Sequence, residues 1–153
     1  MKKLYQPFIV GIIFILDRFS KEWIINKMFL GESWELLPFF HLTYVRNSGV
    51  AFGLGQNSNS IFTIISASLI LLLVIFKKKI WHMENLWVNT GVAFIIGGAI
   101  GNFYDRIVYK SVVDFLDFFA GSYHWPAFNI ADSSICLGVI ILILIQLTYQ
   151  NNH

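Results

Sequence analysis

The sequence predicts a bundle of four membrane-spanning helices. Three observations predict it. The chain has 153 residues, of which 56% are hydrophobic and only 13% charged, with a mean hydropathy of +0.64. That composition suits a bilayer, and the length suits one small bundle, so a single domain over residues 1–153 is expected. The apolar residues gather into four runs that approach the about 20 residues a spanning helix needs. An acid, Asp132, lies inside the last of these runs.

The first span is expected at about 5–25. Met1-Lys2-Lys3 followed by Phe8 to Leu16 has the outline of a secretory signal peptide. However, no small-x-small cleavage site follows, and the helical pattern continues through Asp17 to Ile25, so a retained span is the better reading. The second span is expected at about 59–76, within an uncharged stretch from Asn47 to Phe76. The third covers about 86–104, with no charge between Glu84 and Asp105. The fourth covers about 128–147, because the uncharged run from Ser133 to Tyr149 is too short without Asp132. An Asp at the centre of a membrane helix costs about 2.5–3.5 kcal/mol on insertion scales. Such a residue normally has a task. Lipid-facing loops could not replace these helices, since unpaired backbone in hydrocarbon is too costly.

Lys2, Lys3, Lys77, Lys78 and Lys79 fall on one side if the four spans alternate, whereas the longer loops, about 26–58 and 105–127, hold Lys27, Arg46, Arg106 and Lys110. The positive-inside rule then puts both termini in the cytoplasm. The outer loops carry Trp34, Phe39, Phe40, Phe115, Phe118, Phe119 and Trp125, which are expected at the headgroup level. The chain has no evident repeat or low-complexity linker.

Several function classes are excluded. A net charge of +2 without a basic stripe argues against nucleic acid. The single cysteine, Cys136, permits neither an internal disulfide nor a thiolate metal site. His41, His82, His124 and His153 are scattered, with no His-Glu-x-x-His. No Gly-x-Ser-x-Gly elbow occurs. Ser20 and Lys21 are adjacent, so on a helix they diverge by about 100° and cannot form a dyad.

The polar residues inside the spans converge. At about 1.5 Å per residue, Asp17 lies roughly 18 Å from the inner end of its helix, Lys21 and Asn102 roughly 24 Å, and Asp132 roughly 22 Å. All are in the outer half of a core about 30 Å thick. Asp17 and Lys21 are spaced i,i+4, and Asn102–Asp105 and Asn129–Asp132 i,i+3, so each pair shares a helix face. Gly97 and Gly101 form a small-xxx-small pattern that lets another helix approach. For Asn102 alone, helix-packing glue and a functional role stay equally open. Asp17–Lys21 reads as a structural ion pair with Lys21 snorkelling outward. Asp132 beside Asn129 reads as a site. Its acidic partner is open between Asp114 and Asp117.

In order along the chain, five blocks carry a resemblance: Asp17-Arg18-Phe19-Ser20-Lys21; Asn47-Ser48-Gly49-Val50-Ala51-Phe52-Gly53; Gly97 through Arg106; Val112-Val113-Asp114-Phe115; and Phe128-Asn129-Ile130-Ala131-Asp132-Ser133. On these the chain resembles the lipoprotein signal peptidases (signal peptidase II), bacterial intramembrane aspartyl proteases. Ser20 stands where the family often has Thr, Val50 where it often has Ala, and Arg18 where an uncharged Gln is common. The resemblance implies a catalytic dyad of Asp114 and Asp132. It implies supporting roles for Asp17, Lys21, Asn47, Asn102, Asp105, Arg106 and Asn129. Gly49 and Gly53 serve either a tight turn or close substrate approach. Asp105-Arg106 is expected as a structural charge pair, Asp117 as a solvated or pairing residue, and His124 as an interfacial side chain.

The resemblance further implies a substrate, a prolipoprotein whose cysteine carries a diacylglyceryl group, cleaved just before that cysteine. It implies no metal, nucleotide or redox cofactor, and a monomer in the bacterial cytoplasmic (inner) membrane with its site near the outer face. It suggests a small β-cradle around 36–54, which His41-Leu42-Thr43-Tyr44-Val45 permits, beside an interfacial loop or helix in an otherwise all-α protein. The rival reading is a proton or ion relay through Asp17, Lys21 and Asp132. Against it, the polar residues cluster at one level, and the paired broken helices of many transporters are missing.

Overall fold

The computed structural model describes residues 5–49, 58–76 and 85–150. The chain runs α1 (Tyr5–Lys27), β1 (Ser33–Leu37), β2 (Phe40–Asn47), α2 (Asn59–Ile75), α3 (Leu86–Val108), β3 (Val112–Ala120), β4 (Tyr123–His124) and α4 (Ile130–Gln150). Lys2, Lys3 and Lys77–Lys79, on which the orientation rests, lie outside the described residues, as do Val50, Gly53, His82 and His153.

Each of the four expected spans is a helix. By length and composition, α3 and α4 are apolar enough to cross a membrane. α2 is apolar but has 17 residues. α1 has 23 residues but carries Asp17, Arg18, Lys21 and Glu22 in its second half. α3 continues a full turn beyond its expected end, so Asp105 and Arg106 sit in helix rather than in a loop.

α3 is the hub and touches α1, α2 and α4. Glycine sets how closely. A Cβ on Gly98 would stand 2.3 Å from the Ala131 carbonyl oxygen. Farther along the same seam, Gly91 and Gly138 face each other's carbonyls. Gly97 and Gly101, the pair picked out by spacing, instead face α1, against the Ile13 side chain and the Asp17 carboxylate. The burial pattern is inside-out for a water-soluble protein. Asp17, Lys21, Asp105 and Asn129 are fully buried, whereas Phe8, Ile15, Phe19, Ile64, Leu71 and Leu144 are exposed.

The larger departure from the sequence reading is a four-stranded antiparallel sheet, in the order β1-β2-β3-β4. The protein is therefore not all-α, and the cradle expected around 36–54 is only part of the sheet. The segment 105–127, read as a loop or interfacial helix, supplies half of it. Val112-Val113-Asp114-Phe115-Leu116-Asp117-Phe118 has the β-branched and aromatic content of a strand. Its first four residues are all buried, so the alternation that marks a half-exposed strand is missing. The sheet is clamped to the head of α4: the Phe115 and Leu116 N–H groups donate to the Phe128 carbonyl at 2.9 and 2.8 Å, and the Phe128 N–H donates to the Leu116 carbonyl at 3.1 Å. Beneath it, Ile24 and Met28 of the α1 end pack with Tyr44, Val113 and Phe115.

Candidate active site

The helical half of the site is built around Lys21. Its ammonium reaches Asp17 Oδ2 at 2.8 Å and Asp105 Oδ2 at 3.0 Å, and donates to Asn102 Oδ1 at 2.9 Å. Lys21 therefore does not snorkel outward. An ammonium has three protons, and two carboxylates and an amide oxygen take all of them inside the bundle. The other Asp17 oxygen accepts from the Ala131 N–H at 3.0 Å, which ties α1 to the first turn of α4.

Arg18, unexplained from sequence, completes the charge balance. Its guanidinium bonds both Asp105 and Glu22 and lies over the Tyr104 ring, 4.6 Å from its centroid. Glu22 also accepts from the Tyr109 hydroxyl at 2.6 Å. Asp105 is thus shared by Arg18 and Lys21 and accepts from the Val113 N–H at 3.2 Å. The expected Asp105–Arg106 pair does not form, because neighbours on a helix diverge by about 100°. Arg106 donates instead to the Gly49 carbonyl at 2.8 Å and to Asn59 Oδ1 at 3.3 Å. Gly49 lies in a bend just after β2, with its N–H donated to Asn47 Oδ1 at 3.0 Å.

Three asparagines join this half to the sheet. Asn129 caps α4 reciprocally: its Oδ1 accepts from the Asp132 N–H at 2.9 Å, and Asp132 Oδ2 accepts from the Asn129 N–H at 3.3 Å, a capping-box arrangement. The Asn129 amide donates to Asp114 Oδ1 at 2.7 Å and to Asn102 Oδ1 at 3.2 Å. Asn102 donates to Asp132 Oδ1 at 2.7 Å. Asn47, one strand away, donates to Asp114 Oδ2 at 3.0 Å. Asp114 and Asp132 thus belong to one network although they come from a strand and a helix. Burial, and next the charge of Asp132, push the Asp114 carboxyl up to about 7; hydrogen bonds from Asn47 and Asn129 oppose this.

Asp117 goes elsewhere. A spacing of three on a strand turns two side chains to opposite faces. β2 holds one extra residue against β3 between Leu42 and Val45, the signature of a bulge. Asp117 accepts from the Thr43 hydroxyl at 2.9 Å and pairs with His124 Nδ1 at 2.8 Å, near the sheet's tip. That tip holds an aromatic groove of about 440 Å³ lined by Phe39, Phe118, Phe119, Tyr123 and Trp125 among others. Cys136 is exposed on α4. Among the described residues, no group of three or more His, Cys, Asp or Glu is arranged to hold a metal ion.

The structure gathers Asp17, Lys21, Asn47, Gly49, Asn102, Asp105, Arg106, Asp114, Asn129 and Asp132 around one centre. Sequence reasoning missed Glu22, Asn59 and Tyr109, and the packing role of Gly98. Asn59 had one signal, as a polar residue at the head of an apolar run; Tyr109 had none.

Residues 9–148 match the family model described as Signal peptidase (SPase) II. The lipoprotein signal peptidase of Alteromonas mediterranea is 43% identical over 140 residues, covering 89% of this chain and 76% of the relative. That of Shewanella loihica is 42% identical over 141 residues, covering 89% and 82%. Two solved structures share the fold. A bacterial membrane enzyme solved by the in meso method at 2.3 Å superposes with a TM-score of 0.86 at 34% identity, over 97% of this chain and 90% of that one. Another, at 1.9 Å, gives 0.81 at 35% identity, over 94% and 92%. The five sequence blocks, the fold and the relatives all agree, and the chain belongs to the lipoprotein signal peptidase (signal peptidase II) family.

Proposed function

We propose that this peptidase works within the bacterial cytoplasmic membrane as a single domain and a monomer, with Asp114 and Asp132 as its catalytic dyad. Its substrate is a prolipoprotein bearing a diacylglyceryl group on its cysteine, and it cuts just before that cysteine. α1, α2, α3 and α4 all span the bilayer, with both termini cytoplasmic. The inside-out burial supports this, and α2, at about 1.5 Å per residue, is roughly 25 Å long. The dyad then lies near the extracytoplasmic face. A diacyl anchor holds its cysteine at the acyl boundary, so the scissile bond and the acids meet at one depth.

The observation that carries the reading is that Asn129 bonds both carboxylates, through its amide to Asp114 and its N–H to Asp132. Two close carboxylates cannot both ionise easily, so they share a proton. One takes a proton from water while the other polarises the scissile carbonyl; the roles reverse as the amine leaves. Asp17, Lys21, Asp105 and Arg106 hold the frame, and Asn47, Asn102 and Asn129 orient the acids. No metal, nucleotide or redox cofactor enters this chemistry.

An ion relay would need polar groups leading inward. Gln6 and Asn89 are buried at the far ends of α1 and α3, but the buried residues of those helices between them and the site are Ile13, Gly91, Val92, Ala93, Ile96, Gly97, Gly98, Ala99 and Gly101, none with a polar side chain; on α4 the buried polar residue inward of Asp132 is Ser134, whose hydroxyl donates to the Ile130 carbonyl of its own helix at 2.9 Å. The test is cleavage of a diacylglyceryl-modified preprolipoprotein by purified protein in detergent. Asp114→Asn and Asp132→Asn are expected to fold and not to cleave. Normal turnover by either would reject the dyad.

A further inference from the structure

Each of the three asparagines at the acid pair has its amide oxygen held by a group that can only donate. Lys21 Nζ takes the Asn102 oxygen at 2.9 Å. The Asp132 N–H takes that of Asn129 at 2.9 Å. The Gly49 N–H takes that of Asn47 at 3.0 Å. Ammonium and peptide N–H groups accept nothing, so none of these amides can flip without losing its partner. All three NH2 groups therefore face the carboxylates.

The two acids are not held alike. Asp132 is in the first turn of α4, where the helix dipole favours an anion. Its amide donor, Asn102, is polarised from behind by a fully buried ammonium. Asp114 is on a strand, outside the first turn of α4, and its side-chain donors are the neutral amides of Asn47 and of the α4 cap Asn129, whose oxygens are held by peptide N–H groups rather than by an ammonium. The charged and titratable groups around the pair are Asp17 and Lys21 from α1, Asp105 and Arg106 from α3, and the two acids themselves. Lys21 is flanked by Asp17 and Asp105. Arg106 bonds a carbonyl and an amide and spreads its field over both acids.

We propose that Lys21 is a positioning residue: by holding the Asn102 oxygen it locks the amide NH2 onto Asp132, so that the resting pair carries its negative charge on Asp132 and its proton on Asp114. This rests on the dyad assigned above and gives each acid its part. Asp132 takes a proton from water as the oxygen bonds to the scissile carbon, and Asp114 gives its proton to the carbonyl oxygen. In the collapse Asp132 returns its proton to the leaving nitrogen as the C–N bond breaks. Asp114 takes one back from the diol hydroxyl as the carbonyl reforms. Both acids end as they began, so no separate proton exchange is needed between turnovers. The rise of the Asp114 carboxyl to about 7, in part through the charge of Asp132, agrees with this order of ionisation.

The test has two arms. In the first, protein carrying aspartate isotope-labelled at the side-chain carboxyl is titrated by NMR in detergent, the two signals being assigned with Asp114→Asn and Asp132→Asn. Asp132 is expected to ionise first; Asp114 ionising first overturns the proposal. In the second, the pH profile of kcat/KM is compared for the natural protein and Lys21→Met. Without the cation the anion at Asp132 is disfavoured, so the acid limb moves up by about one pH unit, with KM unchanged. A merely structural Lys21 would lower the amount of active enzyme and leave the limb in place, and a folded Lys21→Met with an unmoved limb also overturns the proposal. If Lys21→Met does not fold, the first arm decides. Failure of the dyad itself would be seen separately, as normal cleavage by either Asp→Asn variant.

Discussion

β3 carries two acids only three residues apart, Asp114 nearer the helices and Asp117 nearer the hairpin, and they behave differently. At the base, Asp114 is buried beside Asn129 at the head of α4, receives two amide donors and has its carboxyl raised to about 7. At the tip, Asp117 is paired with a half-exposed His124 and a threonine hydroxyl. Both are mostly buried, at 3% and 7% exposure, so burial does not tell them apart. The difference lies in what faces them. Asp114 meets groups that orient a carboxylate toward a second carboxylate, and Asp117 meets groups that satisfy one and fasten the hairpin.

Activity should separate the two acids most strongly. Asp114→Asn should lower kcat by at least about a thousandfold, within the range general acid–base groups supply. Asp117→Asn should keep cleavage within about threefold, since it touches no group of the dyad; a comparable loss in both would erase the distinction between base and tip. A second contrast concerns backbone. Gly98→Ala would drive a Cβ to 2.3 Å from the Ala131 carbonyl, one residue before Asp132, and should cost about 2–3 kcal/mol by overpacking. Gly121, at φ +60 in the tip turn with open space around it, should tolerate Ala at about 1 kcal/mol. Thermal unfolding in detergent measures both.

Asn47→Ala removes one donor from Asp114 and should lower kcat about tenfold, whereas Thr43→Val at the tip should leave kcat alone and cost about 1 kcal/mol of stability. The pH profile carries the same contrast. Asp114 acts as the proton donor, and its carboxyl in the free enzyme is raised to about 7. Activity measured as kcat/KM should therefore fall as pH rises through about 7, the alkaline limb, and Asp117→Asn should not move that limb.

The helical half of the site was legible in the sequence because ionisable residues stand out in apolar runs and helical spacing says which of them share a face. Asp17–Lys21 and Asn129–Asp132 were read in this way. The direction of Lys21 was not, since snorkelling is the default for a lysine near a membrane edge and only the positions of Asp105 and Asn102 on another helix overrule it. Arg18 became intelligible for the same reason, through Asp105. The sheet half was obscured because Val112 to Phe115 are buried on both faces, so no alternation marks the strand. The choice of Asp114 over Asp117 came from the family resemblance, and its geometric basis, a bulge in β2 and a clamp at Phe128, has no local signal. The Arg106–Gly49 contact joins residues far apart in sequence and was invisible to spacing.

In the mechanism proposed above, Asp114 and Asp132 act as one unit. The most direct test of this is single-turnover cleavage of a lipidated prolipoprotein by Asp114→Asn, Asp132→Asn and the double variant, each checked for folding. Groups that work as a unit lose everything with the first removal, so all three proteins should show the same residual rate. Losses that multiply in the double variant would mean two acids working independently, not a dyad.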